Sequence, residues 1–478
     1  MIWMGIGTGL PGGGAGLSGQ AVHPAQAAPR REWAVPAGVA VVVGAAYIVF
    51  AAWQWSRLVV KSWDLSIFTQ LLQRYADLQP PIVSVKGNGF NLLGDHFHPL
   101  LALLTPVFAL FPSPFTLLVI QGVCFGAAAG ILTRTAQRRL GAATGILLGL
   151  AFGFSWGLQY AAEAQFHEIA LAVPLLMASL AALLESRWTA AALWAAPLVF
   201  VKEDLGLTVA VIGLLIAYRV RKPLGVWLAA WGFGWFLLAT LVILPALNPD
   251  GAWVYAGTAD PGSVFADPAG LFHPSKGVTL LLLLVITAGL AVRSPIALVL
   301  LPTLAWRFLS TNHGYWGPTW HYSAVLMPIA FAALLEAIGR CRGSRLTWLR
   351  DYGRHAAAVA VTAAVVLQPG LPLRTILSPA AWAVPERAEA ADAVLSQVPA
   401  DASVETDIGL MSYLVADHEV FWLGNPNPAP RCILIDRLAG GTPAEWGDVL
   451  DVARRLHPAQ AYALSHSGGG YELACRAR

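Results

Sequence analysis

The sequence predicts a polytopic α-helical membrane protein of about eleven transmembrane helices, carrying a small α/β domain at its C-terminal end. Three observations lead there. Of the 478 residues, 57% are hydrophobic and only 12% charged, with a mean hydropathy of +0.61, whereas soluble domains are about 25% charged. Apolar runs recur from residue 33 to residue 367, with Arg-rich clusters between alternate runs. Beyond Pro379 the long runs stop, and short strand-like and helical segments alternate. The net charge of +3 forms no continuous basic stripe, which argues against nucleic acid as a partner.

In chain order, residues 1–32 are rich in Gly, Pro and Ala without a hydrophobic period and are expected to be disordered. Their GTGLPGGGAG run follows no strand and opens no helix, so it is not a phosphate loop. Residues 33–378 read as the transmembrane domain. Trp33–Trp55 is too long for a signal-peptide core and no small-residue cleavage site follows it, so it is expected to stay as an anchor. Placing Arg30 and Arg31 inside makes the N-terminus cytosolic and sends the chain into a first outer loop, 56–98. Pro99–Phe111 is too short to cross and reads as a half-span or interfacial helix. Pro114–Thr133 returns to Arg134–Arg139. Ala142–Ala161 goes out and Ile169–Leu184 comes back to Glu185–Arg187. Thr189–Val201 and Leu205–Tyr218 form the next pair, ending at Arg219–Lys222. Leu224–Leu247 and Gly277–Val292 flank a long outer loop, 248–276. Ile296–Leu309 goes out, Tyr322–Ile338 returns to Arg340–Arg350, and His355–Leu367 exits last. Every Arg-rich cluster then lies on one side of a multi-pass protein in the cytoplasmic membrane.

The domain of residues 379–478 accordingly falls on the extracytoplasmic side. Ser403–Thr406, Glu419–Leu423, Cys432–Ile435 and Ala461–Leu464 read as strands; Ala388–Gln397, Met411–Ala416 and Trp446–Leu456 read as helices. His466 and Gly468–Gly470 read as a hairpin turn. Cys432 and Cys475 either pair, if this domain faces an oxidising compartment, or remain two thiols. Cys124 sits in an apolar run and Cys341 in a basic loop, and no spacing suggests a cysteine metal site.

The same orientation gathers the unusual polar residues on the outer side. Residues Leu65–Leu78 of the first loop have helical periodicity, apolar on one face and polar on the other, as for a helix lying in the membrane interface. Asp64 at its start is either an N-cap or a general base able to take a proton from an acceptor hydroxyl. In GDHFHP, Asp95, His96 and His98 are candidate ligands for a divalent cation, unless His98 only caps the helix that Pro99 begins. His167 and Glu168 form a further metal-ligating or hydrogen-bonding pair, or plain interface residues. Lys202, Glu203 and Asp204 are consecutive charges between apolar runs, and each would cost roughly 2.5–3.5 kcal/mol at the bilayer centre. They therefore mark either a tight surface turn or a watery cavity, where Lys202 would hold a phosphate. Trp316, Trp320, His321 and Tyr322 can stack on a sugar or lipid head, or form an interfacial aromatic belt with membrane lipids. Asp-x-Asp, Walker and Gly-x-Ser-x-Gly patterns are all missing, so no nucleotide-handling site is indicated.

WDLSIFTQ, GDHFHPLLALLTPVF, QFHEIALAVP, VFVKEDLGL and HYSAVLMPIAF occur in this order over residues 63–331. Together they resemble an uncharacterised bacterial family of polytopic membrane proteins, a domain of unknown function, which is in turn similar to the GT-C glycosyltransferases. That resemblance implies a GT-C-like fold and transfer of a sugar from a polyprenyl-phosphate carrier to a cell-envelope glycan, lipid or protein acceptor. It matches the catalytic acidic residue of the first outer loop to Asp64. Glu168, Lys202, His96 and His167 would then steady the departing phosphate, with Mg2+ or Mn2+ as candidate cofactor. It also implies an extracytoplasmic C-terminal domain and, with a lipid-phosphate donor, accommodates the missing Asp-x-Asp. The rivals are a transporter or lipid flippase and a cell-envelope assembly scaffold. Transporters usually carry charges near the midplane of matched halves; here the charges sit at span ends and no repeat is visible.

Overall fold

Lipid offers backbone groups no partners, so long apolar runs must fold as helices that satisfy themselves. The structure, a computed structural model, describes residues 31–59, 62–257, 270, 273–438 and 443–476. Of the stretch 1–32 expected to be disordered, residues 1–30 lie outside the described residues, as does most of the 258–272 segment, whereas Arg31 and Glu32 are helical and open the first span. The first part comprises α1 (Arg31–Trp55), α2 (Asp64–Ala76), α3 (Thr105–Leu110), α4 (Pro114–Leu140), α5 (Ala142–Gly153), α6 (Trp156–Glu163), α7 (Ile169–Leu184) and α8 (Trp188–Ala195). It continues with α9 (Leu205–Val220), α10 (Pro223–Leu238), α11 (Leu244–Leu247), α12 (Pro274–Ile286), α13 (Leu301–Leu309), α14 (Leu326–Arg342) and α15 (Thr347–Leu367). Among the described residues, Glu32–Trp55, Pro114–Leu140, Ala142–Glu163, Pro223–Leu247 and His321–Arg342 are long and apolar enough to cross a membrane. Six shorter apolar helices accompany them.

Small residues let these helices approach closely, as membrane packing requires. A Cβ on Gly126 of α4 would stand 2.4 Å from the Ala40 carbonyl oxygen of α1, and one on Gly232 of α10 would stand 2.4 Å from the Gly206 oxygen of α9. The predicted span 142–161 is interrupted between α5 and α6. Its freed carbonyls are taken by side chains: Tyr47 donates to Gly153 O at 2.7 Å, and Gln159 and Gln368 donate to Phe154 O at 2.7 and 3.0 Å. The basic loop predicted around Arg340 is partly helical, because Cys341 is buried and Arg340–Arg342 complete α14. Charges at helix ends tie the bundle: Arg138 pairs with Glu32 at 2.7 Å and with Glu185 at 3.3 Å, and Arg219 pairs with Glu336 at 2.5 Å.

The C-terminal domain has α16 (Glu386–Leu395), α17 (Ile408–Leu414) and α18 (Val449–Leu456) around five strands, β1 (Val404–Thr406), β2 (Val420–Trp422), β3 (Cys432–Asp436), β4 (Ala463–Gly468) and β5 (Tyr471–Cys475). The strand order is β2-β1-β3-β5-β4, with β1 parallel to β2 and β3 and the last pairings antiparallel. Strand β5 is absent from the sequence prediction; it follows the Gly469–Gly470 turn and buries Tyr471 and Leu473. Cys432 and Cys475 oppose each other in the β3–β5 register and form a disulfide.

This domain corrects the reading of α2 as an interfacial helix with one wet face. Ser66 and Gln70 are buried against the domain, and the buried Thr69 donates to Leu65 O of its own helix at 2.7 Å. Ser66 and Ser412 share a hydrogen bond of 2.8 Å, Gln70 donates to Val420 O at 3.1 Å, and Gln73 donates to Val415 O and Ala416 O at 3.0 Å. The Trp63 and Trp422 rings meet edge to face at 4.7 Å. The first-loop helix is thus clamped between the bundle and the sheet.

Candidate functional site

A cavity of about 730 Å3 opens where the first loop meets the ends of the helices. Asp64 enters it from the start of α2. The N-cap position is Trp63, Ser62 Oγ accepts from the Asp64 amide at 3.2 Å and donates to Asp64 Oδ2, so Asp64 is not an N-cap. The carboxylate instead faces the cavity.

Between α6 and α7 the chain turns through Gln165, which has a left-handed φ of 71°, and this presents His167 and Glu168. Glu168 is fully buried; its Oε2 stands 2.6 Å from His167 Nδ1 and its Oε1 3.2 Å from Lys202 Nζ. Glu168 itself does not line the cavity, whereas His167 and Lys202 do. The turn before α9 that carries Lys202, Glu203 and Asp204 is therefore part of the cavity wall. Glu203 pairs with His96 Nδ1 at 2.7 Å and accepts from the Phe97 amide at 3.0 Å. Burial pushes the Asp204 carboxyl up to about 6, and its Oδ1 has no hydrogen-bond partner among the described residues.

The predicted ligand set of Asp95, His96, His98 and His167 is divided among separate partners, which corrects that grouping. Asp95 pairs with Lys86 at 3.0 Å; burial works against its charge, but His96 and Lys86 hold it below the usual carboxylate range. His96 is taken by Glu203, and the Tyr255 ring stacks on it at 4.5 Å. His98 is buried against Phe68, burial pushes it down to about 4, and its side chain caps no helix. His167 converges elsewhere. Among the described residues, the ligand atoms of Asp64, His167 and His321 lie within 4.8 Å of one another. The His167 and His321 rings stack at 3.4 Å, and neither nitrogen of the buried His321 has a hydrogen-bond partner among the described residues.

The aromatic wall is also revised. Trp320 and Tyr322 line the cavity, joined by Trp306, Tyr315 and Trp253. Trp316 does not: it is buried, donates from Nε1 to Ser310 O at 2.9 Å and carries Lys276 Nζ 4.0 Å above its ring. Trp320 has φ 66° and ψ −172°, a region open essentially to glycine that costs about 1–3 kcal/mol, immediately before His321. The fully buried Arg307 holds this segment, donating to Tyr315 O, Gly317 O and Ser323 Oγ at 2.7, 2.6 and 3.1 Å. Arg307, Lys86 and Tyr255 escape the sequence reading. Only Arg307 leaves a local signal, a lone cation inside an apolar run.

Fold and site together define a polytopic membrane protein with a polar, aromatic-walled cavity at one end of its helices. The chain belongs to the family described as "Predicted membrane protein (DUF2079)", which matches residues 54–424. No curated protein matches it. Among solved structures it is similar to ArnT from Cupriavidus metallidurans bound to undecaprenyl phosphate, at 11% identity and a TM-score of 0.54, covering 94% of this chain and 98% of that one. It is likewise similar to the apo state of the same protein, at 13% identity and a TM-score of 0.51, covering 91% and 97%. The family relation that the ordered motifs indicate is thereby shown, and the shared feature with ArnT is the fold.

Proposed function

We propose that this chain is a GT-C-type membrane glycosyltransferase that moves a sugar from a polyprenyl-phosphate carrier to a hydroxyl of a cell-envelope glycan, lipid or protein. The observation that carries the proposal is the opening of the first-loop Asp64 onto a large cavity with an aromatic wall, within a fold shared along nearly its whole length with ArnT, a protein solved with undecaprenyl phosphate. In an inverting displacement the acceptor oxygen attacks the anomeric carbon, and the phosphate leaves with the bonding electrons. Asp64 takes the acceptor proton. Lys202 stabilises charge growing on the phosphate, while Glu168, which lies behind the wall, holds Lys202 and His167 in place. Trp320 and Tyr322 offer faces for the sugar or the carrier.

In this reading the cavity and C-terminal domain face the outer side of the cytoplasmic membrane and the N-terminus is cytosolic. The Cys432–Cys475 disulfide supports that orientation, since such bonds persist in oxidising compartments. The clustering of Arg134, Arg138, Arg219 and Arg340 at helix C-terminal ends supports it too.

The test is reconstitution into vesicles with undecaprenyl phosphate carrying a labelled sugar and a cell-envelope extract as acceptor. Wild-type protein is expected to move label, and Asp64→Asn to lower the rate about 10²–10⁴-fold. Unchanged transfer by Asp64→Asn would overturn the role of that residue. Failure to consume any polyprenyl-phosphate sugar would overturn the activity.

A further inference from the structure

We propose that Asp64, His167 and His321 form a site for one divalent transition-metal ion, with its open coordination positions facing the cavity. Three protein ligands drawn from α2, the α6–α7 turn and the segment before α14 converge within 4.8 Å, while open space lies on the cavity side. That is the ligand number of an open metal site, as distinct from a closed structural one.

His321 gives the independent observation. It is buried, it lines the cavity, and both of its ring nitrogens lack hydrogen-bond partners among the described residues. A buried polar group without a partner is costly, so the ring is placed for something that the cavity admits. The surroundings also suit a metal ligand at His167. Glu168 Oε2 stands 2.6 Å from His167 Nδ1 without a hydrogen bond between them among the described residues, so a carboxylate lies beside this candidate ligating ring. Ser62 holds Asp64 Oδ2, which leaves Oδ1 clear of the serine.

Charge points the same way. Among the described residues, Asp64, Asp95, Glu203 and Asp204 line the cavity against Lys86 and Lys202. Both lysines are already paired with carboxylates, Lys86 with Asp95 and Lys202 with Glu168. An anionic phosphate entering this cavity meets an excess of negative charge, which a divalent cation offsets. Two imidazoles with one carboxylate favour zinc, cobalt or iron over magnesium. A bound ion there would supply positive charge that stabilises a phosphate oxygen. The proposal stands on the side chains of the cavity; a chain that binds the ion and transfers no sugar leaves it intact.

The experiment is a Co2+ titration of the full chain in lipid nanodiscs after chelator treatment, read by visible absorption and by metal content. One ion per chain is expected, and millimolar Mg2+ should not displace it. His321→Ala and the more conservative His321→Gln should weaken binding at least tenfold, as should His167→Ala, and Glu168→Gln should weaken it about 10–100-fold. Asp95→Asn and His98→Gln should keep the wild-type affinity. Elution volume and thermal unfolding of each variant report whether it folds. Wild-type cobalt affinity and spectrum in folded His321→Gln and His167→Ala would overturn the site, as would a loss confined to the Asp95 and His98 variants. Absence of stoichiometric binding by the wild-type chain would also overturn it.

Discussion

Lys202→Met tests the buried charge cluster most directly. Lys202 Nζ lies 3.2 Å from Glu168 Oε1, and the two side chains are 10% and 1% exposed. At an effective dielectric of about 20, this separation corresponds to an attraction of about 5 kcal/mol. Desolvation cancels much of that in the intact pair, but removing one partner leaves a buried charge uncompensated. The expected cost is therefore about 3–5 kcal/mol of folding stability. His167 remains beside Glu168 in the variant and should keep the loss toward the lower figure. Equilibrium unfolding in mixed lipid–detergent micelles, followed by tryptophan fluorescence, measures it. Glu168→Gln alone should cost a similar amount, whereas the double variant should cost less than the sum by about 2 kcal/mol or more. Single losses below about 1 kcal/mol that simply add would refute the reasoning, because the two groups would then not depend on each other.

Other perturbations follow from different parts of the molecule. Gly126→Ala should destabilise by about 1–3 kcal/mol in the same assay, since its Cβ would stand 2.4 Å from the Ala40 oxygen and the helices must part. Replacing Cys432 and Cys475 by Ser opens a loop spanning 43 residues and should cost the C-terminal domain up to about 4 kcal/mol, read as protease sensitivity of that domain. Burial pushes Asp407 up to about 6. A carboxyl raised on folding favours the folded state below the unfolded value of about 4, and that contribution is lost as pH rises to about 6. Asp407→Asn should therefore flatten the stability profile between those values, and a profile identical to wild type would exclude the residue as its source.

Much of the architecture was determined by the sequence alone. The apolar runs specify helices whatever their neighbours, because hydrocarbon leaves the backbone no alternative. The alternating segments after Pro379 specify an α/β domain, although β5 was hidden behind a glycine turn with too short an apolar pattern. The sequence also singled out Asp64, His167, Lys202 and His321 as polar residues beside long hydrophobic stretches, where such groups are costly. What it could not determine was who meets whom. Asp95, His96 and His98 are neighbours in the chain, and that proximity suggested a shared ligand. In the fold, Lys86 and Glu203 reach Asp95 and His96, and Phe68 packs against His98. His167 and Asp64 instead find His321 from a distant segment whose course Arg307 fixes. The wet face expected on α2 vanished for the same reason, since its serine and glutamines are matched by groups of a domain more than three hundred residues away. Burying a polar group forces it to take a partner, but only the tertiary structure decides which partner is within reach.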